Sequence, residues 1–281
     1  MGERVDPMVA FAILMLALPV LLLVVAIGGA LMEGRRSPHA FGIGRVMSNS
    51  FVAIGGAPLA LFGASALLNV PVTLATSFAT FGTTDPERVV KTVTMVGPFG
   101  LLWLLLYPFL KLFMTGIAVD TLADRPVEPA ATLRMALRRT LPALGMLMLF
   151  GIALMVGMVL FVVPALVLIL TWFVVLPVMA AEGQGPIEAF GRSRDLMRGM
   201  RWRLLLLLVL VGLLWLVVSG MVQGLALVLL GANDPWLSAA IQAFFSTLLG
   251  VFPAVGAAAV YHEARTAKEG AGNHDLTDVF A

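Results

Sequence analysis

The stretch from Leu141 to Ala181 reads LPALGMLMLFGIALMVGMVLFVVPALVLILTWFVVLPVMAA and contains no Asp, Glu, Lys or Arg. A helix needs roughly 20 apolar residues to cross the hydrocarbon core of a bilayer. This run is about twice that length, so one crossing cannot use it up. Pro164 lies near its middle. Proline lacks the amide that would continue a helix and pushes the residue before it out of helical geometry. The stretch is therefore expected to be two spans joined by a tight helical hairpin at Val162, Val163 and Pro164. In lipid only helices and closed barrels satisfy their own backbone groups. Continuous rather than alternating apolar residues select helices.

Working outward, further apolar runs cover residues 8–32, 51–81 (with Pro58 and Pro71 inside), 92–119, 204–230 and 236–261. With the hairpin this predicts an all-α polytopic membrane protein of about seven transmembrane helices. The first run exceeds a signal-peptide core of ~7–15 residues and no small-residue cleavage site follows it, so it is expected to be a retained anchor. Residues 1–40 form this anchor and a basic loop, 41–270 a six-helix membrane domain, and 271–281 a polar tail. Pro58, Pro71, Pro98, Pro108, Pro177 and Pro253 fall in or near spans and are candidate kinks.

Composition agrees. The chain has 281 residues, 60% hydrophobic and 12% charged, with a mean hydropathy of +1.01. Soluble domains carry about 25% charged residues, so there is too little charge to cover a water-facing surface. The absence of cysteine rules out disulfides, thiolate metal sites and thiol catalysis. The formal charge of +2 is not read as nucleic-acid binding, because the basic residues adjoin apolar runs.

Those basic residues alternate from loop to loop. Arg35, Arg36 and Arg45 follow the first span. Arg125, Arg134, Arg138 and Arg139 follow the third. Arg192, Arg194, Arg198, Arg201 and Arg203 follow the fifth, and Arg265 and Lys268 follow the last. The intervening loops hold only Arg88 and Lys91, and the Pro164 hairpin holds none. Positive residues collect on the cytoplasmic side. The expectation is a multi-pass protein of the cell (inner or plasma) membrane, with its N-terminus outside and its C-terminus cytoplasmic.

The basic loops also show helical periodicity. At ~100° per residue Ala189, Phe190, Leu196, Met197, Met200 and Leu204 share one arc, interrupted by Ser193, opposite the arginines of that loop. This predicts an amphipathic helix lying at the membrane interface. Leu133, Ala136 and Leu137 oppose Arg134, Arg138 and Arg139 in the same manner, and Ile43, Val46 and Met47 surround Arg45. Each segment precedes two spans, which raises the hypothesis of three parallel helix-hairpin repeats.

Several stretches resemble one family. They are Phe41-Gly-Ile-Gly-Arg-Val-Met47, Asp120-Thr-Leu-Ala-Asp-Arg-Pro-Val127, Val162-Val-Pro-Ala165, Trp172-Phe-Val-Val-Leu-Pro-Val-Met-Ala-Ala-Glu182, Gly185-Pro-Ile-Glu-Ala-Phe-Gly-Arg-Ser193 and Tyr261-His-Glu-Ala-Arg-Thr-Ala-Lys-Glu-Gly270. In order and spacing, residues 41–270 are similar to the glycerophosphoryl diester phosphodiesterase membrane-domain family, related to the YciC-type membrane proteins. The resemblance implies a polytopic membrane domain. In the family, hydrolysis belongs to a soluble barrel that some members carry, and no such barrel occurs in these 281 residues.

No catalytic, cofactor or metal site is expected, and the chain is read as non-enzymatic. Metal-assisted hydrolysis needs clustered His, Asp and Glu, and the three histidines, His39, His262 and His274, sit in loops or near the termini. No Gly-rich phosphate loop or metalloprotease motif is present. The arginines at 134, 138, 139, 192, 194, 198, 201 and 203 are candidates for binding anionic lipid headgroups, at ~1 kcal/mol each near a membrane surface. Lys111 is an intramembrane charge, expected to snorkel along its stem. Asn69, Gln223 and Gln242 are polar positions within spans that commonly bond between helices; with Lys111 they would line any transport path. Gly56, Ala60 and Ala64, and Gly250, Ala254 and Ala258, form small-residue faces for close helix contact. Glu182 and Arg192 are an expected structural pair.

The reading is a structural, regulatory or assembly membrane protein that engages anionic lipids. The alternatives are a transporter or channel for a small or lipid-like solute, and a membrane partner of a separate hydrolase. Its partners would be membrane lipids, with a protein partner or a second copy left open and no nucleic acid.

Overall fold

The computed structural model describes residues 23–32, 41–80, 86–160, 162–230 and 235–270, and every regular element among them is helical. The helices are α1 (Leu23–Met32), α2 (Ile43–Gly56), α3 (Pro58–Thr80), α4 (Pro86–Leu122), α5 (Pro129–Leu160), α6 (Val162–Thr171), α7 (Val175–Glu182), α8 (Pro186–Met197), α9 (Arg201–Leu230), α10 (Pro235–Gly250) and α11 (Phe252–Arg265). A π turn, Thr266–Gly270, follows α11. Six segments are long and apolar enough to cross a membrane: Pro58–Thr76, Leu102–Leu122, Pro129–Leu160, Val162–Glu182, Arg201–Val222 and Ala239–Gly270. The chain is an all-α polytopic helical protein. Of the expected first span only α1 lies within the described residues.

The change of helix falls between α5 and α6, so Val162, Val163 and Pro164, expected to be the joint, form the first turn of α6 instead. Gly157 on α5 faces Ala165 on α6 so closely that a Cβ there would lie 3.1 Å from the Ala165 backbone. Proline at the third position of α6 costs little, because the first turn of a helix has no use for that amide. The second crossing starts later than residue 51. Phe51 belongs to α2, which ends at Gly56, and Ala57 adopts φ −154°, ψ 69°. Pro58 forces this break by restricting the residue before it.

α4 is the central post and packs on α2, α3, α5, α7 and α11. Leu112, Met114, Ile117 and Ala118 on it are wholly buried. α10 packs along α3, and α9 reaches the rest through α10, α6 and α2. The outer surfaces of α5 (Leu149, Ile152, Met155, Val156, Val159) and α9 (Leu214, Leu216, Val217, Met221) are exposed and apolar. A continuous apolar surface of that extent fits lipid as its solvent and not water.

The amphipathic segments differ from expectation. α8 is a separate helix, but its apolar arc is buried in protein rather than laid against lipid. Ala189, Leu196 and Met197 on α8, and Leu204 beyond the break on α9, are at most 1% exposed, and the Phe190 ring packs at a tilt against Trp172 with ring centroids 4.7 Å apart. Residues 130–140 are no separate helix; they are the first turns of α5. The expected apolar set splits there, with Ala136 buried and Leu133 and Leu137 exposed. The three hypothetical repeat units correspond to the contacting pairs α3–α4, α5–α6 and α9–α10, and the middle one lacks a detached leading helix.

Candidate functional site

The basic segments converge at one end of the bundle, around two buried or half-buried carboxylates. The first is Glu182. α7 ends there because Gly183 adopts the left-handed conformation, φ 76°, which glycine enters without steric cost. The chain turns at once. Gln184 Nε2 donates to Glu182 at 3.0 Å, and the Gly185 N–H donates to Glu188 at 3.2 Å. With Pro186 as the first helical residue, this starts α8. α8 then carries Arg192 back to Glu182, its Nε 3.1 Å from both carboxylate oxygens.

α11 closes the circuit. Tyr261, 3% exposed, donates its hydroxyl to Glu182 at 2.9 Å. Arg265 Nη1 donates to the Tyr261 oxygen at 3.3 Å, and Arg265 Nε donates to Glu269 at 2.9 Å. Glu269 also accepts from Arg192 Nη2. Glu182, Arg192, Glu269, Arg265 and Tyr261 thus form a closed ring joining α7, α8 and α11 with its π turn. The hydrogen bond to Glu269 outweighs burial and, with Glu182, holds the Arg192 guanidinium above its ordinary range. Lys268 Nζ, from the same turn, donates to the Asp195 carbonyl.

The second carboxylate is Glu263, 5% exposed. It accepts from the Gly42 N–H at 3.0 Å and from Arg45 Nε at 2.6 Å. An anion at the N-terminus of α2 meets the positive end of that helix and satisfies one of its unpaired amides. Arg203 Nη1 donates to the Phe41 carbonyl at 3.2 Å, which ties α9 to the same point.

The candidate arginines therefore differ in their surroundings. Arg192 and Arg203 are tethers. Arg139 Nη1 donates to the Met179 carbonyl, and the buried Nε of Arg201 has no hydrogen-bond partner among the described residues. Arg134, Arg138, Arg194 and Arg198 are exposed and form no ion pair among the described residues.

Away from this end, a polar seam joins α3 to α10. Ser65, Asn69 and Thr73 recur at four-residue spacing on α3. Ser65 Oγ donates to the Thr247 carbonyl at 2.7 Å, Asn69 Nδ2 donates to the Ser65 carbonyl at 2.9 Å, and Thr73 Oγ1 lies 3.2 Å from Ser246 Oγ. The seam ends at a kink. Pro253 has no amide to give, and the Ala254 N–H turns to the Val251 carbonyl at 3.2 Å. Lys111 Nζ lies 3.5 Å from the Gly250 carbonyl and 5.8 Å from the centre of the Tyr107 ring. Asn69 sits so close to Gly250 that a Cβ there would lie 2.3 Å from its Nδ2. Of the expected intramembrane polar set, Asn69 and Lys111 share Gly250 as neighbour. Gln242 is exposed on α10, and the Gln223 side chain lies outside the described residues.

Sequence reasoning missed Tyr261, Glu263, Arg265 and Glu269. One signal was present: Tyr261, Arg265 and Glu269 recur every four residues and so share a helix face. Ser65 carried no signal of its own. No protein-family model, no curated protein and no solved structure matches this chain, so no family is assigned on those grounds.

Proposed function

We propose that this is a non-enzymatic multi-pass membrane protein whose basic end engages anionic lipid headgroups, in a structural, regulatory or assembly role. The observation that carries this is the set of four exposed arginines, Arg134, Arg138, Arg194 and Arg198, without ionic partners among the described residues. Stability does not require cations to stand in water unpaired, whereas an anionic leaflet attracts each by ~1 kcal/mol. On this reading the basic end is cytoplasmic, the membrane is the cell membrane, and the N-terminus is outside. The likeness of residues 41–270 to the glycerophosphoryl diester phosphodiesterase membrane domain fits such a role, with any hydrolysis left to a separate polypeptide.

The test is lipid selectivity in mixed nanodiscs. Full-length protein should enrich phosphatidylglycerol over phosphatidylcholine in the lipid retained on purification. Replacing all four arginines by Gln should abolish that enrichment with the fold intact. Equal enrichment in the quadruple variant would overturn the proposal.

A second reading, transport of a small or lipid-like solute, draws on the meeting of Lys111 and Asn69 at the Gly250 kink. Solute flux into proteoliposomes that Lys111→Met removes would support it.

A further inference from the structure

Arg134, Arg138 and Arg139 line an open recess of about 370 Å³ together with Ala131 and Met135. Its position follows from length. α5 has 32 residues and is about 48 Å long at 1.5 Å per residue, against a hydrocarbon core of ~30 Å. If Leu160 marks the far boundary, the crossing uses residues back to about Leu141. The turns carrying the three arginines then stand in the headgroup layer.

The recess has a fixed wall and a free one. Arg139 is held from behind, with Nη1 on the Met179 carbonyl and Nη2 over Gly183. Arg134 and Arg138, one turn apart, are exposed and have no acceptor among the described residues. No carboxylate among the described residues lines the recess. Guanidinium forks match phosphate oxygens in pairs. A phosphodiester offers one negative charge, while a phosphomonoester carries about −1.5 to −2 at neutral pH. Three cations without a counter-ion among the described residues favour the second. Beside the arginines, Leu133, Leu137 and Leu141 form an exposed stripe at the same four-residue spacing. A soluble phosphate has no use for that stripe, but a lipid places its glycerol and acyl carbons there.

We propose that this recess is a selective binding site for a phosphomonoester, presented by a membrane lipid headgroup. The proposal rests on the headgroup reading above and narrows it to one site and one charge state.

The experiment uses full-length protein in nanodiscs containing phosphatidic acid, phosphatidylglycerol or neither, with native mass spectrometry to count retained lipids. Two double variants are compared: Arg134→Gln with Arg138→Gln, and Arg194→Gln with Arg198→Gln. Neither touches a tether, so both should fold; circular dichroism and elution volume check this. Wild type should prefer phosphatidic acid over phosphatidylglycerol by about tenfold or more, the worth of one charge-assisted bond. The 134/138 variant should lose the preference and the 194/198 variant should keep it. Inorganic phosphate, which cannot use the leucine stripe, should displace phosphatidic acid only in large excess. If phosphate displaces phosphatidic acid at equimolar concentration, the acyl and glycerol contacts add nothing and the lipid source is overturned, though the phosphomonoester chemistry stands. If both anionic lipids are enriched equally and both variants weaken them alike, the site is overturned while general headgroup binding survives. If neither lipid is enriched over the neutral disc, both fall.

Discussion

The hydroxyl of Ser193 on α8 donates to the carbonyl of Thr171 at 3.0 Å, and this bond closes the bend between α6 and α7. At the bend the Val175 N–H turns to Trp172 at 3.3 Å, so it does not take the Thr171 carbonyl as a straight helix would. Ser193 is wholly buried and supplies the missing donor. Ser193→Ala is expected to lower stability by ~1–3 kcal/mol, the cost of an orphaned buried acceptor. Ser193→Thr should retain more of it if the added methyl fits. Thermal unfolding in a fixed detergent reads both. An Ala variant as stable as wild type would mean that the bend satisfies itself.

The ring through Glu182 predicts coupling. Arg192 and Tyr261 both bond this carboxylate, so removing either one changes what the other is worth. Arg192→Gln and Tyr261→Phe should each destabilise, and the double variant should depart from additivity by ~0.5–3 kcal/mol. Glu182→Ala should cost ~1–3 kcal/mol, because it strips an acceptor from both partners at once. Glu182→Gln should fall between, keeping an acceptor oxygen while losing the charge. Strict additivity would show that the ring is no cooperative unit. The same variants should leave lipid selectivity untouched, which separates the tethers from the free arginines.

Six of the crossings were legible because lipid imposes a length rule that Leu141–Ala181 exceeds, although Pro164 lies in the first turn of α6 and not at the joint. The position of the basic residues was legible for the same reason. What covers a helix face was not. The Ala189–Leu204 arc has the periodicity of a membrane-surface helix and of a buried one alike, and only the tertiary contact of Phe190 with Trp172 decides. Ser193 looked like a flaw in that arc, since the carbonyl it serves lies 22 residues away. Glu182 with Arg192 could be anticipated because a short turn joins them. Glu263 with Gly42 could not, because 221 residues separate them. Tethered and exposed arginines look the same in a sequence; Arg192 and Arg194 differ by half a helical turn, yet one is bonded to Glu182 and the other is exposed.

Gly183 is constrained twice. Its φ of 76° disfavours any residue with a Cβ, and a Cβ would stand 2.7 Å from Arg139 Nη2. Gly183→Ala should therefore cost more than the ~1–2 kcal/mol of the left-handed conformation alone. It should also loosen Arg139, which forms the fixed wall of the arginine recess. The expected outcome is a lower unfolding temperature together with weaker discrimination of phosphatidic acid from phosphatidylglycerol. Loss of stability with selectivity unchanged would show that Arg139 holds its place without this contact.

Gly250 offers the sharpest packing test, because the clash and its relief are both nameable. A Cβ at Gly250 would lie 2.3 Å from Asn69 Nδ2 and 2.6 Å from Ser65 Oγ, distances at which something must move. The atoms in the way are not free to swing, since Ser65 is bonded to Thr247 and Asn69 to Ser65. Gly250→Ala should thus cost ~1–3 kcal/mol, in the range of overpacked cores. Asn69→Ala alone should cost less, because it removes an amide whose hydrogen bonds stay within its own helix. In combination, Asn69→Ala should recover part of the Gly250→Ala loss, an interaction of opposite sign to that expected in the Glu182 ring. The Lys111 ammonium reaches the Gly250 carbonyl only at the long limit of a hydrogen bond, so Lys111→Met should change stability little in any of these backgrounds. Additive losses from Gly250→Ala and Asn69→Ala would mean that α3 and α10 do not approach as closely at the kink as this geometry requires.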